Sequence, residues 1–159
     1  MIGNLSSAEI EAVLTGNLIG RIGCHADGLT YVVPVSYAYD GQFIYVRTQE
    51  GMKINMLRKN PELCFQVDIL ENMANWKSVV VWGRFEELKE PELREAALQK
   101  LFDRNTPAVT GRNVRFYEEW PFSPADPGSI PGIVFRVHIT EKTGRFEDST
   151  ELPDPGIHG

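Results

Sequence analysis

Thr48, Gly51 and Lys53, with Arg47 just ahead of them, make the stretch of this chain best suited to hold an anion. Beyond Gly51 the pattern turns helical and stops at Asn60-Pro61, which places Lys53 in a first helical turn. A helix start carries about half a positive charge and several free N–H groups. A threonine hydroxyl, a lysine charge and an approachable glycine backbone at that point form a phosphate-sized seat. The GxxxxGK spacing of a nucleotide-binding loop is absent. A lone lysine in a first turn is by itself more often solvated, so the stretch needs support from elsewhere in the chain.

The other candidates are weaker. Trp76-Lys77-Ser78 opens an apolar run; it reads either as aromatic packing at a strand start or as an apolar wall with a hydroxyl for a ligand. His25 sits beside a turn and His138 on a strand, and neither has a Ser, Asp or Cys at a spacing that builds a triad; His158 lies in the tail. Glu86-Glu87 and Glu118-Glu119 read as solvated charges. Cys24 and Cys64 both lie in apolar, strand-like runs and read as buried reduced thiols; no CxxC or His-rich cluster suggests a metal. No catalytic residue can be assigned, and nothing supplies the acid/base pair of a hydrolase. Such a chain suits a protein whose cofactor carries the chemistry.

At 159 residues the chain is expected to be one domain. Its net charge of −6 argues against general nucleic-acid binding and requires that any anionic ligand find a local basic cluster. The start lacks a basic-then-apolar leader, and no apolar run approaches the roughly 18 residues of a membrane span. The expectation is a cytoplasmic protein with no membrane partner.

The elements that must position these residues follow from local signals. Ser6-Ser7-Ala8-Glu9 matches a capping box, Ile10, Val13 and Leu14 form a stripe, and Gly16 is placed to end the helix in the left-handed conformation. Asp27-Gly28 and Asp40-Gly41 punctuate strands over 18–24, 29–39 and 43–47. Pro34 demands an edge or a bulge in the second of these, because proline cannot donate to a ladder. A short helix over 52–59 precedes strands over 62–69 and 76–88. Glu90-Pro91-Glu92 starts a helix whose buried face is expected to be Leu93, Ala96, Ala97, Leu101 and Phe102. The stretch 103–131 is irregular and proline-rich, a last strand spans 133–143, and 148–159 is a polar tail. Six strands with short connections and two or three peripheral helices imply a mainly β fold, a closed or split antiparallel barrel.

Five segments carry a resemblance: G-R-I-G (20–23), Y-V-V-P-V-S-Y (31–37), D-G-Q-F-I-Y-V (40–46), G-M-K-I-N-M-L-R-K-N-P (51–61) and W-K-S-V-V-V-W-G (76–83). In that order and spacing the chain resembles the flavin-binding split-barrel family of pyridoxamine 5′-phosphate oxidase, particularly its small bacterial, nitroimidazole-reductase-like branch. The resemblance implies a six-stranded antiparallel split β-barrel and a homodimer with FMN at the interface. Val33, Val35 and Ser36 would then offer backbone groups along the isoalloxazine, Val46, Arg47 and Thr48 would flank the ribityl chain and phosphate, and Met52 and Lys53 would hold the phosphate. Trp76, Lys77 and Ser78 would come from the fifth strand, across the dimer. Two departures stand out. The arginine and histidine signature with which the vitamin-pathway oxidase grips pyridoxal phosphate is absent from 133–159, and Met52 stands where that oxidase carries a second basic residue. The implied function is an FMN-dependent oxidoreductase passing electrons from a reduced nicotinamide to a small-molecule acceptor that the sequence does not name. A non-catalytic flavin store or sensor, and a split barrel using haem or a deazaflavin, remain alternatives.

Overall fold

Apolar residues on alternate positions decide which face of each strand turns inward, and turn chemistry decides where the strands stop. The computed structural model describes residues 1–104 and 131–149. The expectations for most of 103–131, for most of the tail and for Glu118-Glu119 and His158 lie outside the described residues. In chain order the elements are β1 (Ile2–Asn4), α1 (Ser7–Thr15), β2 (Ile19–Ala26), β3 (Leu29–Tyr39), β4 (Phe43–Thr48), α2 (Met52–Lys59), β5 (Glu62–Asn72), β6 (Asn75–Glu87), α3 (Pro91–Phe102) and β7 (Ile133–Glu147).

The strands run antiparallel in the order β1-β7-β4-β3-β2-β5-β6, and a further β6–β7 ladder closes the ring. Six strands form the barrel, as the sequence implies. The three-residue β1, too short to show a period, adds to the far end of β7 through Ile2↔Glu147. Inside lies one core that includes Ile22, Tyr37, Ile44, Val46, Phe65, Val67, Val79, Val81, Phe135 and Val137. Gly20 faces this core because a Cβ there would fall 2.2 Å from Phe65 Cζ. The capping box of α1 is formed, and its Ile10, Val13 and Leu14 are buried. The Tyr37 hydroxyl ties the helix down by donating to Leu14 O at 2.6 Å.

Several expectations need correction. Gly16 ends α1 at φ −84, outside the left-handed region, with its N–H bonded to Ala12 O. Strands β5 and β7 run further than the sequence suggested, to Asn72 and Glu147, because they pair with β6 along its length. Helix α3 buries Ala97, Leu98 and Leu101 against Ala38, Tyr45 and Val134, while Leu93 and Phe102 are exposed. The helix is rotated by one position relative to the expected stripe. Cys24 is buried but Cys64 only half-buried, since it points outward beside Gly23. Glu86 and Glu87 are not simply solvated: they pair with Arg136 and Arg58.

Candidate functional site

β3 pairs with β2 from Ala26↔Leu29 to Ile19↔Ser36 but meets β4 only from Tyr37↔Val46 to Tyr39↔Ile44. Extending that second register would set Ser36 opposite Arg47 and Val35 opposite Thr48, yet the ladder stops there and the strands part. This is the split in the barrel, and Pro34 lies on its open edge, where the missing N–H leaves no ladder bond unmade. Hydrogen-bonding phase alternates along an antiparallel pair. The Tyr37 N–H donates to Leu18 O at 3.0 Å, and the β2–β3 register runs unbroken from there. Val35 and Val33 therefore turn their main-chain groups to β2 and their side chains to the core. The main-chain groups facing the open edge are those of Val32, Pro34 and Ser36.

On the other lip, β4 ends at Thr48 and Gln49-Glu50-Gly51 lead into α2. Gly51 is extended at φ 171, caps the helix without a side chain, and has nothing within 4 Å of the place a Cβ would take. The first N–H groups of α2 are thus approachable. Lys53 is half-buried and makes no hydrogen bond or ion pair among the described residues. Burial pulls its pKa below the ordinary lysine range, opposed in part by the nearby Cys24 thiol. A desolvated ammonium without a counter-charge is an unfinished interaction, and an anion would complete it. Of the remaining expected residues on this lip, Val46 is wholly inside the core and Met52 is exposed.

Arg47 reaches along the same lip, donating through Nε and Nη2 to Pro131 O at 2.9 and 2.7 Å. Beside it Arg94 of α3 donates to Gly132 O at 3.1 Å. Burial first, then the Arg94 charge, lowers the Arg47 pKa. Gly132 takes φ +109, a left-handed conformation that favours glycine, and a Cβ there would stand 2.8 Å from Thr48 O. Arg104, just past α3, donates to Leu101 O at 2.7 Å, to Tyr37 O at 3.1 Å and to Ser36 Oγ. A chain of net charge −6 therefore carries Arg47, Arg94 and Arg104 where α3 meets β3 and β4, and Lys53 at the start of α2. Sequence reasoning missed Arg94 and Arg104. Arg94 shares a helix face with the buried Ala97, Leu98 and Leu101, so a correctly phased helix would have pointed it inward.

Trp76, Lys77 and Ser78 lie elsewhere. The Trp76 indole N–H donates to Glu147 Oε2 at 2.9 Å, and Ser78 Oγ accepts from Gln66 Nε2 at 3.0 Å. Cys24, the neighbour of Lys53, pairs with Leu63, whose partner on β6 is Gly83. Trp76 is seven residues further along β6, which is about 23 Å at ~3.3 Å per residue. One chain does not bring this trio to Lys53. His25 lies 3.0 Å from Thr30 Oγ1, and His138 pairs with Glu86 on the outer surface. Among the described residues no His, Cys, Asp and Glu cluster is set to hold a metal, and no helix is long and apolar enough to cross a membrane.

A model of the pyridoxamine 5′-phosphate oxidase family matches residues 6–146. An uncharacterized Rhizobium meliloti protein is 30% identical over 152 residues, spanning 93% of this chain and 97% of its own. Among solved structures, a FAD-binding protein from Mesorhizobium loti is 32% identical, covering 93% of this chain and 99% of its own at a TM-score of 0.70. Two others share the fold: the FAD-binding protein from Mycobacterium smegmatis, with 22% identity, coverage of 91% and 98% and a TM-score of 0.62, and the flavocytochrome Anf3 from Azotobacter vinelandii, with 17% identity, coverage of 94% and 71% and a TM-score of 0.67.

Proposed function

The chain belongs to the pyridoxamine 5′-phosphate oxidase family, and on that footing we propose that it binds a flavin, FMN, at the β3–β4 split and acts as a small oxidoreductase. The observation that carries this reading is the half-buried Lys53 ammonium, without a described partner, at the start of α2, five residues beyond the end of β4. Thr48, Lys53 and the first N–H groups of α2 would hold the phosphate. Ser36 and the open edge of β3 would face the ring. The FAD named for the Mesorhizobium relative supports a flavin, and the same phosphate seat would serve its inner phosphate. When bound, the flavin would supply hydride and electron chemistry, taking electrons from a reduced nicotinamide; the chain's own part is to bind and orient it.

The proposed unit is a homodimer with the flavin at the interface. Trp76, Lys77 and Ser78 join the site only if a second copy delivers them, given their distance from Lys53 along one chain. Ile19 and Val32 are exposed on the outer faces of β2 and β3, which gives such a copy an apolar surface to cover. The free thiols of Cys24 and Cys64 suit a reducing, cytoplasmic setting.

Titration of the protein with FMN and with FAD, followed by quenching of flavin fluorescence, tests the reading. Tight uptake of FMN, weakened in Lys53→Met, is the expected result; no uptake of either overturns it, and an intense Soret band in the purified protein would replace it with haem. A second reading, a flavin store without turnover, is favoured because His25 and His138 are both engaged away from the split. Oxidation of reduced nicotinamide by the loaded protein over a panel of acceptors separates the two.

A further inference from the structure

We infer that Arg104 is a positioning residue for the flavin: it occupies the acceptor side of Ser36 Oγ and so turns that hydroxyl into a donor that favours the reduced ring. The inference rests on the flavin reading above. Ser36 is the last β3 residue before the ladder to β4 forms, on the lip of the split. Among the described residues, Leu101 O, Tyr37 O and Ser36 Oγ hold the Arg104 guanidinium there. A guanidinium can only donate. Ser36 Oγ must therefore accept, and its own proton has to go elsewhere. Among the described residues no acceptor takes it.

A hydroxyl with a cation behind it is a stronger donor than a hydroxyl alone. Reduction adds electron density to a flavin ring, and a polarised donor at its edge stabilises the reduced form more than the oxidised one. Ser78 shows the contrast. Its oxygen accepts from the neutral Gln66 amide, so nothing comparable polarises it. A role confined to ending α3 would need only the bond to Leu101 O. Arg104 instead reaches across the fold to β3, and its charge is brought to the Ser36 hydroxyl on that lip.

The test uses the full chain loaded with FMN and equilibrated with a reference dye, reading the ratio of reduced to oxidised flavin at a fixed dye poise. Arg104→Met should lower that ratio roughly tenfold, the scale of one charge-assisted hydrogen bond. Arg104→Lys should recover most of it. In a Ser36→Ala background the Arg104→Met change should have no further effect, because the hydroxyl it acts through is gone. An unchanged ratio in Arg104→Met, or an equal fall in the Ser36→Ala background, overturns the inference while leaving flavin binding intact. Should Arg104→Met fail to fold, Ser36→Ala alone must lower the ratio, and a ratio equal to that of the parent overturns the inference. If the parent protein takes up neither FMN nor FAD, the flavin reading itself falls and this inference with it.

Discussion

The β6–β7 wall and the β3–β4 mouth belong to one sheet and are built on opposite terms. Along the wall, pairing runs from Trp76↔Glu147 to Glu87↔Phe135 with one register shift at Trp82/Gly83. At that shift a Cβ on Gly83 would fall 2.4 Å from His138 O, so the strands are pressed together. Val79, Val81, Phe135 and Val137 fill its inner side, and ion pairs such as Glu86–Arg136 lie outside. At the mouth the strands pair over three positions and part. Arg47, Arg94 and Arg104 there donate to main-chain carbonyls, and Lys53 finds no described partner. The difference teaches where stability and recognition reside. The wall completes its own hydrogen bonds, whereas at the mouth the Lys53 ammonium has no partner among the described residues.

If that division holds, substitutions in the core beneath the wall should act on stability and those at the mouth on binding. The largest effect is expected for Phe65→Ala. Phe65 is fully buried on β5, edge-on to Tyr37 at 4.9 Å. Chemical denaturation should show a loss of about 3–5 kcal/mol. Lys53→Met should weaken FMN by about 1–3 kcal/mol in a fluorescence titration. It should leave the melting temperature unchanged or higher, because it removes a desolvated charge. The sign with pH also follows. Burial holds the Lys53 pKa below 10.5 in the free protein, and a bound phosphate would pull it back up. FMN affinity should therefore fall as the pH rises through that lowered value toward 10.5, and the Met variant should lack this alkaline fall. A smaller change is expected for Tyr37→Phe. Removing its bond to Leu14 O should cost about 1 kcal/mol of stability, measured by denaturation. A Tyr37→Phe effect on FMN larger than its effect on folding would blur the division.

The parts of the fold that were legible in the sequence are those written in local chemistry. Asp27 and Gly28 take positive φ, as does Gly41, and these turns fix β3 to its expected bounds. Pro61 closes α2 where expected, and Pro34 marks the open edge. Other features depend on what packs against what. Leu98 of α3 is buried in place of Leu93 because β3, β4 and β7 present Ala38, Tyr45 and Val134 at that angle, which no helical period reveals. The end of β7 beyond Thr143, with Arg145 and Glu147, reads as leaving the strand, yet β6 and β1 supply partners on either side. Thr48, Gly51 and Lys53 could be placed at the entrance to α2 because a helix start has a sequence signature. Arg94 and Arg104 could not, because only the closed barrel brings α3 beside β3 and β4.

The smallest expected effect tests the wall's outer surface. Glu86 accepts from Arg136 Nε at 2.6 Å and pairs with His138, which stands edge-on to Phe43 at 5.0 Å. Bonding to Arg136 holds the Glu86 carboxyl below its ordinary 4.5, with His138 adding to the same effect and partial burial opposing it. A carboxyl whose folded pKa lies below its unfolded one adds stability above the unfolded value and loses it as the pH falls through the folded value. The side chain is 37% exposed, so solvent screens the pair, and its contribution should stay under about 1 kcal/mol. Glu86→Gln should then lower stability slightly at neutral pH and leave it unchanged at a pH well below 4.5, where the parent carboxyl is protonated. Denaturation curves at the two pH values check this. FMN affinity should be the same in both proteins, since Glu86 lies on the wall; a loss of binding comparable to that of Lys53→Met would mean that the wall and the mouth are one functional unit.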